Sequence, residues 1–295
     1  MAAVLTVEPF QLAPVAITAA LYARRCATLK PTPRAVPGLR QASFYFGLTL
    51  ITLAVIFIGG PADELFYAHM AEHLLLADLG SLFLVLGLTG PLLAPILRLG
   101  LLGPMKFLAN PLVALPLWAA NLYIWHVPVV HEAAVNHDMI HALQHMGFIA
   151  TGVNVWMCLF GPLPMPEWFG TAAKAGYIIA MRLISSVLAN VFLFGGSPFY
   201  DVYRPGEQAH GISASADQHV AGGVMMVEQS LLTIGLFCWL FLRAARESEE
   251  RQQLMDQALA EGVDLDPARA RRAVESGHGE RLSKRISDGS DTPKG

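Results

Sequence analysis

The sequence predicts an all-α polytopic membrane protein, a bundle of about seven transmembrane helices. Three observations predict it. Of the 295 residues, 54% are hydrophobic and 15% are charged, against about 25% charged in a typical soluble domain. The mean hydropathy is +0.46. The chain also supplies, several times over, the roughly 20 apolar residues that a helix needs to cross about 30 Å of hydrocarbon. Helix is the form expected there, because an unpaired backbone group in lipid costs several kcal/mol.

The expected spans are, in order, Val4–Tyr22, Phe44–Gly59, Leu65–Gly90, Phe107–Trp125, Asp138–Phe160, Ala172–Phe194 and Val220–Leu242. Breakers mark their ends: Gly59-Gly60-Pro61, Gly90-Pro91, Gly103-Pro104, Gly161-Pro162 and Gly195-Gly196. Pro9 and Pro14 interrupt the first span, and Met1 to Glu8 holds no Lys or Arg, so that span reads as retained rather than cleaved. Residues 1–243 form the membrane domain. Residues 244–295 change sharply to a charged composition and are expected to be a partly disordered cytoplasmic tail, with Asp266-Pro267 as the cap and first position of a short helix.

Lys and Arg collect in the first loop (Arg24, Arg25, Lys30, Arg34, Arg40), the third (Arg98, Lys106), the fifth (Lys174) and the tail, leaving Arg204 for the other side. The positive-inside rule therefore expects an external N-terminus and a cytoplasmic C-terminus. Cys26, Cys158 and Cys238 fall at or near the cytoplasmic face and form no CxxC pair, which argues against a thiol metal site. A net charge of -3 without a basic patch gives no support for a nucleic-acid partner.

By this topology nine of the ten histidines lie in outer loops or the outer parts of spans. Two pairs stand out: His69-Met-Ala-Glu-His73 opens span three and His141-Ala-Leu-Gln-His145 opens span five. On a helix, positions i and i+4 share a face about 6 Å apart, so each pair can pinch a metal ion or add two ligands to a larger site. His126 ends span four at the same level, and Asp217 and His219 begin span seven there. Imidazole suits zinc, copper, iron and nickel, while thioether sulfur favours Cu(I). Met70, Met139, Met146, Met225 and Met226 lie in or near this layer and tilt the reading toward copper. Asp78, Arg182 and Glu228 fall inside spans, where uncompensated charge is costly. An internal ion pair of Arg182 with Asp78 or Glu228 is expected, with a proton or ion path as the alternative.

These motifs resemble the multi-span CtaG family of cytochrome c oxidase assembly factors. The resemblance rests on His69-Met70-Ala71-Glu72-His73-Leu74-Leu75-Leu76 and the Leu86–Pro91 ending, on Trp125-His126-Val127-Pro128, and on His141-Ala142-Leu143-Gln144-His145. Tyr200, Tyr203, Asp217-Gln218, Gly222 and Met225 add to it. It covers about residues 5–245. Asp78, Met226 and Glu228 depart from the family pattern. The resemblance implies a seven-span fold and a role in maturing the copper centres of a terminal oxidase in the bacterial cytoplasmic membrane. The partners would be cytochrome c oxidase subunits and the lipid bilayer.

On that reading the protein is not an enzyme but a copper-handling factor. His69, His73, His141 and His145 are the core ligands, and His126, Asp217 and Met225 are nearby ligands or supports. Glu72 and Gln144 could orient the imidazoles. One rival is a zinc-dependent membrane hydrolase with His69, His73 and His145 as ligands and Glu72 as base, since catalytic zinc needs three protein ligands and an open position. The other is a metal or proton transporter using Asp78, Arg182 and Glu228; no duplicated half supports it. No nucleotide-binding loop is present.

Overall fold

The computed structural model describes residues 9–98, 103, 107–275 and 277–288. Among the described residues the regular structure is helical, with no strand. The helices are α1 (Pro9–Leu29), α2 (Gly38–Glu64), α3 (Phe66–Leu86), α4 (Gly90–Ile96), α5 (Pro111–Trp125), α6 (Pro128–Asn136), α7 (Asp138–Phe160), α8 (Thr171–Phe194), α9 (Arg204–His210), α10 (Ala214–Ala260), α11 (Pro267–Glu275) and α12 (Gly279–Ser287).

Five of them, α2, α3, α7, α8 and α10, are long and apolar enough to cross a membrane. Helices α5 and α6 together make a sixth if counted as one broken span, bent by 73°. The bend has a local cause. Pro128 has no N–H to offer the ladder, and the residue before it, Val127, is driven to extended backbone at ψ 127°. Helix α5 alone has 15 residues, about 22 Å at 1.5 Å per residue, short of the hydrocarbon thickness. It begins at Pro111 rather than at Phe107 because Asn110 caps it, its side-chain oxygen accepting from the Leu112 N–H at 3.0 Å. The first expected span begins within residues outside the described ones, and α1 is not among the helices long and apolar enough to cross.

The chain divides into two compact units, residues 1–167 with 177–231, and residues 168–176 with 232–295. In the first unit, α3 is held at both ends. At its C-terminal end, orphan carbonyls receive cationic and phenolic donors. Arg40 Nη1 donates to Leu86 O at 3.2 Å and Leu88 O at 2.9 Å, and Tyr22 Oη donates to Gly87 O at 3.0 Å. Its middle, Leu74–Gly80, is π-helical, and Ser81 Oγ donates five residues back to Leu76 O at 3.0 Å. Such bulges recur at functional sites, and this one directly follows His73.

Helices α3 and α7 run parallel and touch backbone to backbone. A Cβ added at Gly152 on α7 would lie 2.2 Å from Ala77 O on α3, so only glycine fits. That contact lies about one turn beyond His73 on α3 and about two turns beyond His145 on α7, and it sets how closely the two helices approach.

In the second unit, α11 and α12 pack on the last turns of α10 through Leu254, Ala258, Leu265, Ala270, Val274, Leu282 and Ile286. Asp266 caps α11 as expected, its Oδ1 accepting from the Ala268 N–H at 3.0 Å. The segment expected to be a partly disordered tail thus carries a small apolar core of its own.

Candidate metal centre

The site begins at the first turn of α3. Leu65 is extended, and α3 has no capping side chain of its own. The cap comes from α10 instead. Asp217, fully buried, accepts from the Phe66 N–H through Oδ2 and from the Tyr67 N–H through Oδ1, both at 2.8 Å. A carboxylate on free amides at a helix N-terminus is stabilised by hydrogen bonding and by the helix dipole. His69 and His73 follow one and two turns further on.

Four imidazoles then form a compact group. Ring centroids are 4.2 Å apart within each pair, His69 to His73 and His141 to His145, and 5.3 Å apart across helices, His69 to His141 and His73 to His145. Glu72 sits among them, its Oε2 3.8 Å from His145 Nε2. One donor atom each from His69, His73 and His141 lie within 4.8 Å of one another, and so do those of Glu72, His141 and His145. All five side chains are buried.

Buried polar atoms are nearly always hydrogen-bonded, and exceptions call for an explanation. Here both ring nitrogens of His69, both of His73 and Nε2 of His141 are buried without a hydrogen-bond partner among the described residues. A metal ion would satisfy them. Imidazole with one carboxylate is a donor set that copper or zinc accepts.

His131 is a residue that sequence reasoning did not single out. It is fully buried, its Nε2 is 2.8 Å from Tyr203 Oη, and its ring lies 4.8 Å from that of His69. It stacks on Tyr200 at 4.1 Å, and Tyr200 Oη donates to His126 O at 2.9 Å. No i, i+4 partner marks His131 in the sequence. The signal available was Pro128, which starts a new helix and turns that face inward.

The remaining expected residues are placed as follows. Asp217 is engaged by the two amides of α3 and lies outside the imidazole group. His126 belongs to neither donor group. It and Met225 line a cavity of about 40 Å³ beside His73, together with Met70. Asp78 and Arg182 form the expected ion pair, Oδ2 to Nη1 at 3.8 Å, and the guanidinium lies 5.7 Å from the Trp156 ring centroid. The carboxylate oxygens of Glu228 are buried too, with no hydrogen-bond partner among the described residues. His137 and His219 are exposed, and His210 pairs with Glu64 at 2.7 Å.

The fold and site define a class: an α-helical membrane protein with a buried imidazole and carboxylate cluster where several helix ends meet. Within that class the chain belongs to the cytochrome c oxidase caa3 assembly factor family, whose family model matches residues 20–247. Neither a curated protein nor a solved structure matches it significantly.

Proposed function

We propose that the protein binds copper at the imidazole cluster and hands it to cytochrome c oxidase subunits during assembly in the bacterial cytoplasmic membrane. The observation that carries this reading is the convergence of His69, His73 and His141, donor atoms within 4.8 Å of one another, while both nitrogens of His69 and His73 lack any hydrogen-bond partner among the described residues. The family supplies the partner. Handover needs a site that binds without trapping, and neutral imidazoles with one carboxylate meet that need.

The cluster faces outward in this reading, with the N-terminus external and the tail cytoplasmic, following the distribution of Lys and Arg. A deletion strain is expected to make oxidase subunits but lose assembled oxidase activity. His73→Ala with His145→Ala is expected to copy the deletion, with partial rescue by added copper. Normal oxidase activity in both strains would end the proposal. Reporter fusions after Gly60, Pro128 and Gly206 should all read outside.

A second reading rests on Glu72. A carboxylate grouped with His141 and His145 is what a zinc hydrolase would use to activate water at an open zinc position. Zinc rather than copper in the purified protein, with amide hydrolysis lost in Glu72→Gln, would favour it.

A further inference from the structure

Helix α3 presents two chemically different faces that share one residue. His69, Glu72 and His73 face the imidazole cluster. Met70, His73, Leu74 and Ala77, spaced i, i+3, i+4 and i+7, line the 40 Å³ cavity on the adjoining side. That volume exceeds the 10–15 Å³ or so that holds one water, so it admits a metal ion with little rearrangement. Across the cavity stand His126 and Met225, and Asp78 lies at its wall.

His126 is prepared as a ligand there. Its Nδ1 is 2.7 Å from Leu122 O. A carbonyl only accepts, so Nδ1 carries the proton and the neutral ring presents Nε2 as a bare lone pair. This is the arrangement in which a ligating imidazole is held by a carbonyl on its other nitrogen. His126 Nε2 is buried and has no hydrogen-bond partner among the described residues. Met70 and Met225 are both buried, so their thioethers are not lipid-facing filler.

We infer that this cavity is a second metal site, separate from the imidazole cluster and selective for a soft monovalent cation, cuprous copper. Its ligands are His126 Nε2 and the thioethers of Met70 and Met225. Thioether sulfur is a soft donor that favours the soft Cu(I) ion. His73 belongs to the cluster and also lines the cavity, with both ring nitrogens unpartnered among the described residues, and so is the residue through which an ion would pass. The existence of the site does not depend on the oxidase; only its role as a relay rests on the function proposed above.

The test is an anaerobic titration of the full-length protein in detergent with Cu(I), against a chromophoric Cu(I) chelator. The wild type is expected to show a Cu(I) site with sulfur scattering in its X-ray absorption spectrum. Met70→Leu with Met225→Leu nearly conserves volume and is expected to lose that sulfur signal and to weaken the site at least tenfold. His141→Ala with His145→Ala is expected to keep both. A wild-type spectrum without sulfur scattering would overturn the inference, and this measurement needs no variant. Unchanged Cu(I) stoichiometry and affinity in the double leucine variant would overturn it equally. Normal oxidase assembly in a deletion strain would instead remove the relay role while leaving the Cu(I) site measured.

Discussion

Asp217 offers a sharp test, because a metal ligand and a helix cap respond to substitution in opposite ways. Its two carboxylate oxygens accept from two backbone amides at 2.8 Å each, and the side chain is fully buried. A hydrogen bond to a charged group contributes about 1.5–3 kcal/mol, and stranding its buried partner costs at the upper end of that range. Asp217→Ala strands two amides at the start of α3 and should lower unfolding stability by about 3–5 kcal/mol. Asp217→Asn keeps one acceptor, and Asn caps about as well as Asp, so it should cost about 1–2 kcal/mol. Urea unfolding in mixed micelles, followed by circular dichroism, measures both. Metal content of the folded Asn variant should match wild type. A stable Asp217→Ala protein that has lost its metal would refute the capping argument and return Asp217 to the ligand set.

Three further outcomes follow from the geometry. Arg182→Leu leaves Asp78 as an uncompensated buried charge beside Glu228 and should cost about 3–5 kcal/mol; adding Asp78→Asn should recover much of the loss in the same unfolding assay. Gly152→Ala places a methyl 2.2 Å from Ala77 O, so α3 and α7 must separate. Metal affinity should fall at least tenfold in a protein that still purifies as a monodisperse species, and unchanged affinity would show that the helix contact does not set the site. Tyr203→Phe removes the 2.8 Å bond to His131 Nε2 and should cost about 1–2 kcal/mol in thermal or urea unfolding, with His69 and His73 still able to bind metal.

Much of this was legible in the sequence, for a physical reason. Lipid forces helix, and helix converts spacing into geometry, so two His pairs at i, i+4 announce two faces. The Trp-His-x-Pro stretch announced a helix end. What spacing cannot announce is which helices touch. Asp217 opens the last long helix as its place in the sequence suggests, yet it points at amides of α3 because Leu65 breaks the preceding helix and leaves those amides open. His131 was passed over for the converse reason: it has no partner four residues away, and only the Pro128 break turns it inward. Among the described residues Pro111 and Pro128 shorten and bend the stretch read as the fourth crossing, so that it counts as a crossing only as a broken pair, while the first expected span begins outside those residues.

The placement of Asp78 shows why the polar groups of this bundle belong to one design rather than two. Glycine at 152 lets α7 approach Ala77, which lies within the π-helical stretch Leu74–Gly80 of α3. An extra residue in a turn shifts the register of everything after it. Regular helix would place position 78 about 140° around from His73; the wider π turn brings Asp78 back toward that side, so it faces Arg182 and the cavity that His73 and His126 also line. A single change in the winding of α3 thus brings a buried charge and the end of the imidazole cluster to one cavity, which Met70, Met225 and His126 also line.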